Sequence, residues 1–267
     1  MSSVGQLGWF PGHMAQSIRL MRERLTLVDV IVEVVDARLP TISANPLLDE
    51  LIGATPRLVL LGREDLADPH LTGKWVAYER ALGRRALAIN GKLVGSVRNA
   101  LPLLHELGGE RRTTRAMVVG IPNTGKSTVI NALAKRTAAK AEDKAGVTRS
   151  LSWFRISPTL EVMDTPGIMP PKIETLDAQW QLALCNALPR DRYDAQEIVA
   201  RFTLWAAEHG RAVPDLETFA RRRGFLQRAN ELDLHTAAAA FVKDFNLAKF
   251  GRITFETPPP PPGEALQ

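Results

Sequence analysis

Gly120-Ile121-Pro122-Asn123-Thr124-Gly125-Lys126-Ser127-Thr128 has the spacing G-x-x-x-x-G-K-[ST], between Arg115–Val119, which reads as a strand, and Lys126–Ala134, which reads as a helix. Its glycines let backbone N–H groups curl round phosphate oxygens, and the N-terminal end of the following helix adds a favourable dipole. Asn123, Thr124, Gly125 and Thr128 fall along that cradle, Lys126 reaches the outer phosphates, and Ser127 offers a hydroxyl to a magnesium ion.

Upstream of this loop, short apolar runs alternate with amphipathic stretches, which predicts an α/β fold, a mostly parallel sheet with helices on both faces. Strands are expected at Val28–Val35, Arg57–Leu61 and Arg85–Ile89, and helices at Met14–Leu25, Lys74–Leu82 and Val94–Leu107. Downstream, Leu151–Ile156 and Leu160–Met163 read as an antiparallel pair, after which the strand signal fades. Helices are then expected at Asp177–Leu188, Asp194–His209, Asp215–Arg223 and Asp233–Phe245. The chain thus divides into a domain at 1–176, a small all-α domain at 177–257 and a proline-rich tail at 258–267, which is expected to be disordered.

At 267 residues, 45% hydrophobic and 24% charged, the composition is that of an ordinary globular protein and excludes wholesale disorder. Cys185 is the single cysteine, so no intrachain disulfide forms, and no run approaches the roughly 18 apolar residues of a spanning helix. The start of the chain lacks the pattern of a secretory signal, and a cytoplasmic protein with no membrane partner is expected. Nine basic residues between Arg111 and Arg149 meet only Glu142 and Asp143, which points to a polyanionic partner.

Three further stretches extend the phosphate loop into a switch. Asp164-Thr165-Pro166-Gly167 is D-x-x-G, in which Asp164 approaches the magnesium and the Gly167 N–H senses a γ-phosphate. Within Ala145-Gly146-Val147-Thr148-Arg149, Thr148 could complete the magnesium shell when that phosphate is present. A guanine reader N-K-x-D does not occur after Asp164, but Gly62-Arg63-Glu64-Asp65 ends a predicted strand and keeps its aspartate. Asp65 could accept from guanine N1–H and the exocyclic amine, while Arg63 could stack its stem and guanidinium on the base. The other reading of this stretch is an acidic helix start capped by Asp65 or Asp68. Asn90 and Gly91, at the end of the next strand, are placed to offer backbone donors to the guanine oxygen.

In this order the guanine elements precede the phosphate loop. Together with Trp9-Phe10-Pro11-Gly12-His13-Met14, Asp36-Ala37-Arg38-Leu39-Pro40, Pro171-Lys172, Asp244-Phe245 and Gly251-Arg252-Ile253-Thr254, it resembles the circularly permuted GTPases of the ribosome biogenesis GTPase A family across nearly the whole chain. The resemblance implies a permuted P-loop GTPase domain followed by a helical RNA-binding domain. It further implies a protein that binds GTP, GDP and magnesium, and acts with rRNA in late assembly of the large ribosomal subunit. A monomer is expected.

Ile168 follows Gly167 where Ras-like enzymes carry the water-orienting glutamine, so the resemblance implies low intrinsic turnover and another means of positioning water. It places a potassium ion at Asn123, and His13, ahead of a helix, is the candidate for the water; a surface histidine is the competing reading. Gly62 and Arg63 depart from the reader pattern, so weak discrimination among purine nucleotides is expected. Two alternatives stand beside the switch: an assembly factor that binds nucleotide with little turnover, and an unrelated P-loop ATPase.

Overall fold

The computed structural model describes residues 18–19, 21–110, 112–134, 153–165, 173, 175–227 and 230–260. Six strands, β1 (Val30–Asp36), β2 (Arg57–Gly62), β3 (Arg85–Ala88), β4 (Thr114–Val119), β5 (Trp153–Ser157) and β6 (Leu160–Asp164), form one sheet in the order β3-β2-β1-β4-β6-β5. All neighbours are parallel except β5, which runs antiparallel to β6 as its turn predicts. Every residue of β1 is buried, because elements pack on both faces, and this is why the strand reads as one apolar run rather than an alternation. The chain builds outward from β1 to β3 and then returns to the other side of β1 with β4. The carboxyl ends of β1 and β4 therefore flank the switch point where α/β sheets hold ligands.

Residues 18–19 and 21–25 are helical, within the expected helix Met14–Leu25, whose start lies outside the described residues. The helices that follow are α1 (Leu47–Ile52), α2 (Pro69–Ala81), α3 (Val94–Arg98), α4 (Ala100–Gly108) and α5 (Lys126–Ala134). Four of these five differ from the sequence reading. The short α1 carries too few turns to show a helical period. α2 begins five residues before the expected Lys74, because Asp68 accepts from the His70 and Leu71 N–H groups and Pro69 fits the first helical position. The expected helix Val94–Leu107 is broken at Asn99, because Pro102 has no N–H to give the Arg98 carbonyl and is tolerated only in the first turn of a new helix.

After the sheet come α6 (Leu176–Leu184), α7 (Ala195–Glu208), α8 (Leu216–Arg223) and α9 (Leu234–Phe245). Asp194, Asp215 and Asp233, expected as first residues of the last three, are their N-caps, each accepting a backbone N–H two or three residues on. Phe202 of α7 is fully buried, with the rings of Phe241, Phe245, Phe250 and Phe255 centred 5.1–6.3 Å away. Trp75 and Trp180 are buried and Trp205 stacks on Phe202, so they are packing residues and not platforms for bases. The core of the helical unit takes in Leu39 and Ile121 from the loops after β1 and β4, so it seats directly on the carboxyl edge of the sheet.

From Gly251 the chain returns to the sheet unit as an extended strap. The Ile253 N–H donates to the Leu66 carbonyl at 3.1 Å, the Phe255 N–H to Arg38 at 2.9 Å, and Trp75 Nε1 to Glu256 at 3.0 Å. Pro258–Pro260 form neither helix nor strand, as their locked φ and missing N–H require, and Pro259 lies at the rim of a cavity beside Trp75 and Tyr78. The Glu256 carboxylate accepts from Thr41 N–H at 2.9 Å and Ile42 N–H at 3.3 Å. Burial pushes that carboxyl up to about 7, against these bonds, which lower it. A pKa raised on folding contributes stability that is complete below the unfolded value and is lost as pH rises through the folded one. Glu256→Gln keeps an acceptor for Thr41 and removes the buried charge. Its melting temperature should gain on the native chain as pH rises from 5 to 8, by about 2–4 °C, measured by circular dichroism.

Candidate nucleotide site

β4 delivers the phosphate loop at the switch point. Gly120 has φ of 148°, and a Cβ there would lie 2.4 Å from the Val34 carbonyl oxygen, so only glycine fits. Thr124 is buried, its hydroxyl donating to the Ile121 carbonyl at 3.1 Å, and Lys126 Nζ donates to the same oxygen at 2.7 Å. Burial pulls the Lys126 ammonium down to about 8, with Asp164 acting the other way. Ser127 and Thr128 are exposed in the first turn of α5, where the backbone N–H groups have no helical partner. Asp164 ends β6 in register with Val118, and the neighbouring Thr165 hydroxyl donates to the Val118 carbonyl at 2.6 Å, tying the D-x-x-G start to β4.

β2 and β3 bring the reader alongside. Asp65 sits in a short 3-10 turn, Glu64–Leu66, and its carboxylate accepts from Lys92 Nζ at 2.8 Å. The two readings of this stretch therefore separate: Asp68 is the helix cap, and Asp65 lies on the wall of a pocket of about 280 Å³. Gly62 is a close approach, since a Cβ there would come 3.2 Å from the Thr124 carbonyl oxygen. Gly91 likewise abuts Thr128, a Cβ falling 3.1 Å from its Cγ2. The Asn90 N–H is committed to the Ser96 hydroxyl at 2.9 Å and its side chain accepts from the Lys92 N–H at 3.0 Å. Of the two expected donors, this leaves the Gly91 N–H without a partner among the described residues.

Arg63 has partners that its sequence neighbours do not reveal. Its backbone is left-handed, with φ of 59°, and its guanidinium is drawn to Asp36 Oδ2 at 3.2 Å, the Cys185 carbonyl at 2.9 Å and the Asn123 carbonyl. With three acceptors in place, the guanidinium ties the loops together while Arg63 still lines the pocket. Beneath it, the wholly buried Arg38 makes two bonds to the Asp36 carboxylate, at 2.9 and 2.8 Å, and reaches Asn246 Oδ1 at 3.0 Å and the Cys185 carbonyl at 3.2 Å. Burial alone would raise the Asp36 carboxyl, but the charge and hydrogen bonds of Arg38 hold it below the usual carboxylate range.

Two pocket residues escape a sequence reading: Asn186 and Asn246, from the helical unit. The expected helix to Leu188 ends at Leu184, and Asn186 follows in the left-handed conformation that asparagine tolerates after a helix end. Its carbonyl accepts from Asn123 Nδ2 at 2.9 Å. Neither residue stands near a phosphate or base motif, so the only signal was asparagine at a helix terminus. His13, Thr148, Gly167 and Ile168 lie outside the described residues.

A family described as "50S ribosome-binding GTPase" matches residues 115–202, beginning at β4, so the strands that carry the reader lie ahead of it. The chain is 34% identical over 276 residues to ribosome biogenesis GTPase A of Bacillus cereus, covering 94% of this chain and 93% of that one. It is 33% identical to the Thermotoga maritima protein of the same name, with 94% and 95% covered.

The chain belongs to the ribosome biogenesis GTPase A family.

Solved structures agree. GDP-bound YlqF superposes with a TM-score of 0.72 at 31% identity, covering 90% of this chain and 99% of that one, and GNP-bound YlqF from T. maritima with 0.71 at 29% identity. As a ribosome biogenesis GTPase A member, the protein binds guanine nucleotides and hydrolyses GTP in ribosome assembly, on a circularly permuted P-loop fold with a helical C-terminal region. No helix among the described residues is long and apolar enough to cross a membrane.

Proposed function

We propose that this GTPase is a cytoplasmic, monomeric switch in large-subunit assembly: the GTP-bound chain docks on a precursor through its helical domain and the basic stretch from Arg111 to Arg149, and hydrolysis releases it. The observation that carries this reading is that phosphate loop, reader and helical unit meet at one pocket, so the nucleotide and the docking domain share a wall. Arg221, Arg222 and Arg223 end α8 and are exposed, a second basic patch for an RNA backbone.

In this reading the nucleotide lies across the carboxyl ends of β2, β3 and β4, its base beside Asp65 and its phosphates under the Gly120–Thr128 loop. Backbone N–H groups of the loop and the Lys126 ammonium hold the phosphates. The Ser127 hydroxyl and Asp164 carboxylate are hard oxygen donors that suit magnesium, with Thr148 joining them when GTP is bound. Bound there, the metal neutralises charge on the outer phosphates. Asn123 would hold potassium through its Oδ1, the atom left over once Nδ2 is bonded to Asn186.

His13 orients the attacking water in place of the glutamine that Ile168 replaces. His13→Ala should lower kcat by about 10²-fold with GTP affinity unchanged, in single-turnover and equilibrium-binding assays, and equal losses in both would remove the assignment. The reading as a whole is tested by GTP turnover in potassium and magnesium buffer with large subunits, small subunits or neither. Stimulation by large subunits alone is expected. Nucleotide binding with no stimulation would favour the assembly factor of little turnover.

A further inference from the structure

Gly62 stands where the reader pattern has asparagine, so one polar side chain is missing from the wall that faces the base. On the other side of the same pocket, the helical unit puts an asparagine back. Asn186 follows α6, lines the cavity together with Asp65 and Thr124, and its carboxamide has no hydrogen-bond partner among the described residues. The side chain is not there by accident of a loose loop. Its own carbonyl receives the Asn123 amide at 2.9 Å, the preceding Cys185 carbonyl receives Arg63 at 2.9 Å and Arg38 at 3.2 Å, and Asn246 Nδ2 donates to the Leu184 carbonyl at 2.7 Å. Three successive carbonyls at the end of α6 are thus pinned to the sheet unit or to α9, and the turn that carries Asn186 is fixed against the phosphate loop.

We infer that Asn186 contacts the bound purine nucleotide from the helical unit, replacing the polar contact given up at Gly62, and that Arg63 is the positioning residue that seats its turn. The inference rests on the nucleotide reading of this pocket. It makes the helical unit a wall of the purine site, so movement of that unit on docking changes nucleotide affinity directly. Arg63, in the place of the reader's lysine, serves this tie: a planar guanidinium can satisfy acceptors from β1, the phosphate loop and the α6 end at once, which a lysine ammonium on a single stem cannot do with the same geometry.

Asn186→Gly tests the contact without strain, since glycine adopts φ of 59° freely and keeps the carbonyl that Asn123 uses. Asn186→Asp keeps the shape and replaces the amide donor by an acceptor. GDP and ADP binding to the full chain would be measured by calorimetry, with melting temperature as the control for folding. Both variants should bind GDP about three- to tenfold more weakly than the native chain, the size of one hydrogen bond. Arg63→Lys should lose a similar factor, and adding Asn186→Gly to it should cost little more, because one acts through the other.

Native affinity in both Asn186 variants would overturn the contact, and full additivity of the two losses would overturn the positioning role of Arg63. If the native chain itself fails to bind GDP, the pocket reading falls and this inference with it. Equal loss for GDP and ADP places the contact on an atom both purines share, and loss for GDP alone places it on the guanine edge; either result supports the inference.

Discussion

Lys126→Ala should abolish measurable GTP turnover, with a loss on the order of 10²–10³-fold in kcat, while leaving the chain folded. Among the described residues the buried ammonium has the Ile121 carbonyl as its hydrogen-bond acceptor and Asp164 as a favourable charge, so its positive charge is held in a dry place within the loop proposed to hold the phosphates. The same burial, which pulls its pKa to about 8, has two consequences with opposite signs. Affinity for GTP in the nucleotide-free protein should weaken as pH rises through about 8, because the neutral amine no longer attracts phosphate. Stability of the nucleotide-free fold should rise from about 8 towards 10.5, because the unfolded chain binds the proton that the folded chain has released. Removing the side chain deletes both a buried charge and its bond to Ile121, so the melting temperature at pH 7 should move little. A variant that keeps turnover within about tenfold of the native chain would show that another cation holds the outer phosphates.

Arg38→Ala should cost about 3–5 kcal/mol of stability, read from urea unfolding of the full chain. The arginine has a side chain 1% exposed and makes a two-bond pair with Asp36, 5% exposed. Among the described residues its removal leaves the buried carboxylate with Arg63 as the one nearby cation, and with the backbone N–H of residue 38 still donating to it. It also cuts the bonds to Asn246 and to the Cys185 carbonyl, which join the helical unit to the end of β1. The loss should therefore appear in nucleotide affinity as well as in the unfolding midpoint, since Asn186 and Asn246 share the pocket wall. The folded pKa of Asp36 is depressed, so the pair stabilises the chain above the ordinary carboxylate value and that contribution fades as pH falls through the folded one. The gap between native chain and variant should accordingly close in acid. An Arg38→Ala protein that unfolds with the native midpoint at pH 7 would mean the pair is energetically idle.

Most of the sheet was legible because its signals are local. A buried parallel strand must be apolar along its whole length, and Val30–Asp36 and Arg57–Gly62 read that way within one or two residues. Helix starts were legible where an aspartate caps them, at Asp194, Asp215 and Asp233. Boundaries went wrong where a single residue overrides the period: Pro102 split one helix, and the turn at Cys185–Asn186 shortened another.

The phosphate loop was decided by sequence alone. Nine consecutive residues carry both the backbone freedom and the side chains that phosphate binding needs, and the strand and helix on either side orient them wherever that unit folds. The order of reader and loop along the chain was equally a matter of sequence, and with it the permuted sheet. What only the tertiary structure decided is which groups line the pocket. Arg63 was read as a stacking residue because its neighbours in sequence offer it nothing else, yet its acceptors lie 27, 60 and 122 residues away. Asn186 and Asn246 enter the pocket because α6 and α9 end at the carboxyl edge of the sheet, held there by a buried arginine. Such contacts follow from how one unit packs on another, and packing is set by the shape of two cores together, which no local pattern records.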